Sequence, residues 1–458
     1  MRKIGAVLCA GIITVGLLVA SPAQATKSVA EEILDILKAN GQISEQQYRD
    51  LMVKARAEDE KAGATADLGQ KVPSLEERVG KKNFLAAYWK DGLRLDAADG
   101  QFKLKIGGRI QNDWTIYATD KKIRRDFGSI GDGTEFRRAR LFIEGELYGN
   151  IKYKAEYDFA GQDADFKDVY IELKKIPMLG ALRIGHFKEP FSLQAQTSSK
   201  YLTFMERSLP NAFSPSRNTG FMLYNAVLDK RATWAVGAFR DVDDSGNSFG
   251  TDGNYNVTTR FTFLPWYQEK GNQLLHLGFS YSHKFRAGRD ICFRARPEAQ
   301  LGPRFVDTQS FGVDGVDLLN PEVALVYGPA SVQFEWTTAL VDSESGSDPD
   351  FHGWYISGSY FLTGEHRVYN ASGGKFDRVK PSNNFDAQGG WGAWELAARY
   401  SVLDLDDRDI RGGELDTFTL GLNWYLNPNV RMMFNYVRAD LADSGEADIF
   451  ESRVQVDF

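Results

Sequence analysis

The stretch that most constrains this chain is residues 133–161, GTEFRRARLFIEGELYGNIKYKAEYDFAG. It reads as two strands joined at Gly149 and Asn150. Successive side chains on a strand point to opposite faces. One face here carries Leu141, Ile143, Leu147, Ile151, Tyr153, Ala155, Tyr157 and Phe159. The other carries Arg138, Arg140, Glu144, Glu146, Lys152, Lys154, Glu156 and Asp158. A sheet on the surface of a soluble protein also alternates, with its polar face in bulk water. Charge at almost every position, opposite an apolar face flanked by tyrosines, instead fits a strand with lipid outside and an aqueous lumen within.

The same alternation runs from about residue 102 to the end. Phe418, Leu420, Leu422 and Trp424 oppose Thr419, Gly421 and Asn423; Val332, Phe334 and Trp336 oppose Gln333, Glu335 and Thr337; Trp394, Leu396, Ala398 and Tyr400 oppose Glu395 and Arg399. No segment of this region approaches the roughly 20 apolar residues of a membrane helix. A mean hydropathy of -0.37 and 26% charged residues also exclude a helical membrane bundle. The final residues, ADIFESRVQVDF, place Phe450, Val454, Val456 and Phe458 on one face. An aromatic last residue closing an alternating strand resembles the terminal signal of bacterial outer-membrane barrels.

The beginning of the chain differs in kind. Residues 1–25 read as a secretory signal peptide, with Arg2 and Lys3, an apolar run from Ile4 to Ala20, and Ala23-Gln24-Ala25 as the cleavage site. Residues 26–80 read as a helical leader and linker, and 81–458 as the barrel. In the leader Val29, Ile33, Ile36 and Leu37 recur at helical spacing and Gly41 ends the run. Ser44 and Gln47 then offer a capping box for a second helix carrying Tyr48, Leu51 and Met52. This pair is too small for a core of its own; it suits packing against copies of itself, docking to a periplasmic partner, or service as a solvated tether. With Cys9 inside the signal, Cys292 stands alone, so no internal disulfide and no metal-ligand spacing is expected. No cofactor and no nucleic-acid partner is expected either.

Seventeen stretches qualify as strands, but a barrel with both ends in the periplasm needs an even number. The weakest is 290–297, ICFRARPE, which ends in Pro297. Assigning it to a long outer loop, 286–319, between strands at 273–285 and 320–328 leaves an all-β, sixteen-stranded antiparallel transmembrane barrel. The brief connections at 149–150, 229–230, 328–329 and 427–428 then fall on the periplasmic side. Three connections are anomalously long: 190–217, 286–319 and the periplasmic 364–390. They contain Tyr201, Phe204, Phe213, Phe305 and Phe376, which argues for loops that fold into the lumen and narrow it.

Those loops are basic. They hold Lys200, Arg207 and Arg217; Arg286, Arg289, Arg294, Arg296 and Arg304; and His366, Arg367, Lys375, Arg378 and Lys380. Arg109 on the first strand and Arg137, Arg138 and Arg140 at the outer end of the opening hairpin add to them. Acid gathers instead at 241–246, 342–350, 403–409 and 443–448, all read as exposed loops, so a chain of net charge -7 encloses a cationic channel. Guanidinium stays charged and binds phosphate or carboxylate at two points, and several moderate sites pass an anion along where one tight site holds it. The competing reading is that these arginines pair with lumen carboxylates and brace the loops. Asp168, on a face with Tyr170 and Glu172, either tempers anion binding or holds arginines in place, and reads first as such a brace. Arg137 shares parity with Leu141 and belongs in lipid unless it lies above the hydrocarbon band or a bulge near Arg138 turns it inward. Five histidines accompany no GxSxG elbow, so no enzyme is expected. The alternatives to a channel selective for one anion are a general anion porin, or a structural envelope protein whose leader binds a periplasmic partner.

Several segments carry a family resemblance: KLKIGGRIQND at 103–113, EFRRARLFIEGEL at 135–147, KDVYIEL at 167–173, GHFKEPFSLQ at 185–194 and RPEA at 296–299. YFLTGEHRVY at 360–369, WGAWELAARYS at 391–401 and LGLNWYLNPNVR at 420–431 extend it. Together they resemble the phosphate-selective porin O and P family of bacterial outer-membrane channels. The resemblance implies passive diffusion of phosphate, pyrophosphate or related anions across the outer membrane, through a barrel set in outer-membrane lipid and commonly a homotrimer. It also implies an arginine ladder that includes Arg137 and Arg138, a constriction at Lys200, and an inward-folded turn bringing Lys375, Arg378 or Lys380 to the site.

Overall fold

The computed structural model describes residues 29–41, 44–54, 85–161, 163–250, 254–386 and 388–458. The expected signal peptide and the stretch 63–73, which reads as the linker part of the leader, lie outside these residues. The chain divides into two compact units, 1–81 and 82–458.

In the first unit, helix α1 (Val29–Ala39) is followed by a helical turn sequence over 45–54. The Ser44 N–H donates to Gln47 Oε1 at 2.9 Å and the Gln47 N–H donates to Ser44 Oγ at 3.3 Å, the reciprocal pattern of a capping box. Lys38 pairs with Glu45 at 2.8 Å and the Tyr48 hydroxyl donates to Asp35 at 2.5 Å. Polar contacts therefore join the two helices, while Ile36 and Val53 stay exposed.

The second unit is a barrel of sixteen strands. They are β1 (Phe102–Thr119), β2 (Gly133–Leu147), β3 (Ile151–Asp158), β4 (Asp165–Ile176), β5 (Gly180–Lys188), β6 (Arg217–Val227), β7 (Ala232–Arg240) and β8 (Tyr255–Gln268). Then come β9 (Gln273–Ile291), β10 (Phe311–Tyr327), β11 (Ala330–Ser343), β12 (Asp350–Phe361), β13 (Ala393–Asp407), β14 (Ile410–Asn427), β15 (Val430–Leu441) and β16 (Gly445–Asp457). Each pairs antiparallel with the next, and β16 returns to β1 from Ala447↔Thr119 to Asp457↔Arg109. Closure ends on Phe458, which exchanges backbone hydrogen bonds with Gly108 at 3.1 and 2.7 Å. The backbone there admits no side chain: a Cβ at Gly107 would lie 2.4 Å from the Phe458 carbonyl oxygen and 2.6 Å from the Phe142 ring. Gly107→Val is therefore expected to block closure, reducing the folded, heat-modifiable band on electrophoresis to trace levels.

Alternation behaves as the charge pattern demands. Leu141, Ile143, Phe418 and Leu420 face outward and are exposed, whereas Arg138, Arg140, Glu156 and Asp158 are buried inside. Four features depart from the sequence reading. β9 and β10 run on to Ile291 and from Phe311, pairing across an irregularity between Phe285 and Arg289, so the outer loop is 292–310 and not 286–319. Above the membrane band a barrel strand has water on its outer side, so polar residues there carry no loop signal. For the same reason 403–409 is not an exposed acidic loop: β13 extends to Asp407 with Leu403 and Leu405 fully buried inward. The acidic stretch 443–448 likewise enters β16 from Gly445. Finally, an unexpected hairpin, Leu85–Trp89 and Leu93–Ala97, pairs with the start of β1 below the end of β16. Residues 294–295, left out of the barrel count, form a separate two-stranded ribbon with 306–307.

The lumen is unevenly filled. Phe191, Leu209 and Phe213 from connection 189–216, with Phe293 and Phe305 from 292–310, pack against inward Leu403, Leu405, Leu415, Val437 and Ile449 of β13–β16. Tyr369 and Phe376 of connection 362–392 pack with Leu193, Leu264, Leu274 and Val326. Apolar burial thus anchors the long connections to the β8–β16 wall. The β1–β6 wall is left mostly charged, with Tyr170, Phe187 and Met222 in a smaller apolar cluster.

Candidate functional site

Connection 189–216 is fixed by its backbone. The carbonyls of Leu202, Thr203, Met205 and Glu206 accept from Arg431 Nη1 at 2.8 Å, Asn423 Nδ2 at 2.8 Å, Arg453 Nη1 at 2.6 Å and Arg399 Nη1 at 3.0 Å. At its start, Glu335 accepts from Ser192 Oγ at 2.6 Å and from the N–H groups of Leu193 and Gln194 at 3.0 and 2.9 Å. The Leu209 N–H donates to Ser401 Oγ at 3.0 Å. One side of the loop is therefore tied to β11 and β13–β16, and the other faces β1–β6 across a cavity of about 380 Å³.

Twelve basic side chains line that cavity against three acidic ones, Glu144, Glu156 and Asp168. Nine of the residues singled out in the sequence meet there: Arg109, Arg137, Arg138, Arg140, Asp168, Lys200, Arg207, Arg217 and Lys375. Arg294 and Arg296 line a cavity of about 200 Å³ that shares Arg137 and Arg207 with the first. Arg378 lines a small space that shares Lys200, and it is held by Asp457 and the Pro428 carbonyl. Three more stand apart. Arg286 is paired with Asp241 at 2.7 Å and Asn256 at 3.1 Å. Arg367 donates to Gln333 at 3.0 Å and lies 3.6 Å over the Phe376 ring, bracing the inward turn. Lys380 is exposed.

Lys105, Lys154, Arg183 and Lys188 complete the basic lining. Parity was available for three of these, since the alternation that turns Ile106, Ala155 and Ile184 outward turns Lys105, Lys154 and Arg183 inward. Lys188 and Arg217 pair at the ends of β5 and β6, beside the loop, where alternation no longer decides direction.

Arg137 reaches the lumen through a bulge. Gln111 pairs with Arg138 and Asn112 with Phe136, which leaves Arg137 as the extra residue of β2. Phe136 accordingly points outward and is 62% exposed. Arg137 turns in and grips both oxygens of Glu206, at 2.9 and 3.1 Å.

Many of these bases are braced. Arg109 pairs with Glu156 at 2.6 Å, Arg140 with Asp158 at 2.6 Å and Arg183 with Glu172 at 2.7 Å. Asp168 ties Lys154 of β3 (2.9 Å) to Arg217 of β6 (2.8 Å). Four bases differ. Arg138 donates to Gln111 at 2.9 Å and is no closer than 4.0 Å to Glu206. Arg207 donates to the carbonyls of Gln194 and Thr197, and Lys188 to that of Ala195. Lys375 makes no side-chain hydrogen bond or ion pair among the described residues. A carbonyl satisfies a donor but cancels no charge, so the cavity keeps a positive excess. Two of its lysines lie on connections, outside the spanning strands. Burial pushes the Lys200 ammonium down to about 8 against the pull of Asp457, with Arg109 and Arg378 adding to the fall. Burial and then Arg183 push Lys375 down to about 8 as well.

A closed barrel with an apolar outer surface, a polar lumen and inward-folded loops is an outer-membrane porin. A family profile described as "Phosphate-selective porin O and P" matches residues 104–458. The chain belongs to that family, and its place is the bacterial outer membrane. It is 29% identical over 392 residues to Porin O of Pseudomonas aeruginosa, covering 76% of this chain and 86% of that protein. It is 30% identical over 362 residues to an uncharacterized protein of Caulobacter vibrioides, covering 76% of this chain and 70% of that one. Among solved structures, in-vitro folded OmpT of Vibrio cholerae in its trimer form matches with a TM-score of 0.50 and 11% identity, over 78% of this chain and 99% of that one, a likeness of fold alone. Family and fold point to a channel rather than an enzyme.

Proposed function

We propose that the protein is a passive, anion-selective pore for phosphate, pyrophosphate or similar oxyanions. The supporting observation is the cavity between β1–β6 and the pinned loop, with twelve bases against three acids. An anion gathers at Arg294 and Arg296, passes Arg137 and Arg207, crosses the central cavity and leaves past Lys200 and Arg378. Guanidinium and ammonium groups replace the water it sheds, and the multiplicity of moderate contacts lets it move on. The positive field raises the local anion concentration and weakens with salt. A homotrimer in outer-membrane lipid is part of the same proposal, and crosslinking in detergent reads it directly. The test of function is conductance in planar bilayers. An anionic reversal potential, with chloride current blocked by millimolar phosphate, supports the proposal; a cation-selective pore sinks it. Anion selectivity without phosphate block leaves the general anion porin.

The two lysines add a pH dependence. Each ammonium is charged below about pH 8 and neutral above it. Anion selectivity is therefore full near pH 6.5 and declines as pH rises through 8. In a potassium chloride gradient, where the permeating anion does not titrate, the reversal potential is expected to move toward zero by pH 9. Lys200→Arg should remove about half of that decline, and Lys200→Arg combined with Lys375→Arg should flatten it.

A further inference from the structure

One carboxylate sits among the cations and is not needed to hold the loop. Glu206 lines the outer cavity with Arg137 and Arg207, the two residues that also line the central one, so it stands at the junction. Arg137 holds it in a two-point fork at 2.9 and 3.1 Å, Arg453 Nη2 donates to it at 2.9 Å, and Arg138 Nη1 lies 4.0 Å away. That fork is the geometry in which guanidinium receives a phosphate. A purely bracing role is poorly motivated. The loop is already fastened through the carbonyls of residues 202, 203, 205 and 206 and through Glu335. Arg453 has its own bidentate partner in Asp113, at 2.6 Å on both oxygens.

Resting on the anion-pore reading, we propose that Glu206 is a tethered counter-anion that sets the affinity of the outer rung. Three guanidinium groups converging on one point form a well deep enough to trap a multivalent oxyanion. The carboxylate occupies that well in part, so a passing anion competes for the fork of Arg137 and is released inward. Selective conduction needs binding that is favourable yet weak enough to leave.

Phosphate titration of chloride current in planar bilayers tests this on wild type, Glu206→Gln, Glu206→Asp and the loop-releasing Glu335→Ala. Glu206→Gln is expected to be half-blocked at a phosphate concentration about fivefold lower than wild type, the scale of one unit charge near the ion. It should keep its anionic reversal potential and quiet openings. Glu206→Asp, which retains charge but shortens the reach, falls between. An unchanged half-block in both variants overturns the proposal. So does weaker block with the noisy current of Glu335→Ala, which would make Glu206 a pin. If Glu206→Gln does not assemble, Glu206→Asp decides alone, an unshifted half-block refuting the idea. A wild-type pore without anion selectivity refutes instead the reading on which it rests.

Discussion

Lys200→Glu is expected to abolish phosphate block at millimolar concentrations and to lower the chloride-to-potassium permeability ratio by an order of magnitude or more. The ammonium lines the central cavity, 3.4 Å from Asp457 and 5.3 Å from the centre of the Tyr201 ring. What holds this residue in place is main chain, its carbonyl accepting from Gln455 Nε2 at 3.2 Å, so the substitution leaves the loop seated. It changes the lining by two charge units and sets a new carboxylate beside Asp457. A unit charge about 5 Å from an ion, at an effective dielectric constant of about 60, is worth about 1 kcal/mol. Two units are then worth about 2 kcal/mol, roughly thirtyfold in an equilibrium constant. Lys200→Met, one unit, should show about half that free energy. A reversal potential equal to wild type in Lys200→Glu would remove Lys200 from the anion path.

What could be read from the sequence was whatever alternation governs. Arg138 and Leu141 fall on opposite sides of the wall, as their parity requires. The parity conflict at Arg137 leaves a position above the hydrocarbon band or a bulge, and the structure has the bulge. The aromatic residues of the long connections were a sound sign of inward folding, because Phe213, Phe305 and Phe376 are buried. What stayed hidden was the seat of the loop. Arg399, Arg431 and Arg453 look like further lumen charges in the sequence, yet each spends a donor on a loop carbonyl. A backbone acceptor leaves no mark on a side-chain pattern, so no spacing separates a cation that pins from a cation that lines. Arg367 and Arg286 carry the same ambiguity, and the structure gives them Phe376 and Asp241 as partners. The N-terminal hairpin escaped because its five-residue strands border an edge that exists only once β16 has stopped short of the base of β1.

Glu335→Ala is expected to raise single-channel conductance in 1 M salt about twofold or more, with noisy current and reduced anion selectivity, while the barrel still assembles. The carboxylate is buried and serves five donors: Ser192 Oγ, the N–H groups of Leu193 and Gln194, Gln333 Nε2 and the Tyr355 hydroxyl. Each buried donor stranded by its loss costs about 1–3 kcal/mol unless water enters to satisfy it. Water is available from the lumen, so the cheapest response is for the first turn of the loop to leave the wall and hydrate. The pairing of β11 with β10 and β12 is made by backbone groups the substitution does not touch, so the strands stay closed. The pins at residues 202–206 retain the middle of the loop, which limits the opening to the end bearing Leu193 and Gln194. Released there, the turn no longer offers the Gln194 and Thr197 carbonyls to Arg207 at fixed distances, and selectivity falls as conductance rises. Wild-type conductance in this variant would mean that the carbonyl pins alone hold the loop, and Glu335 would then count only toward the stability of the barrel wall.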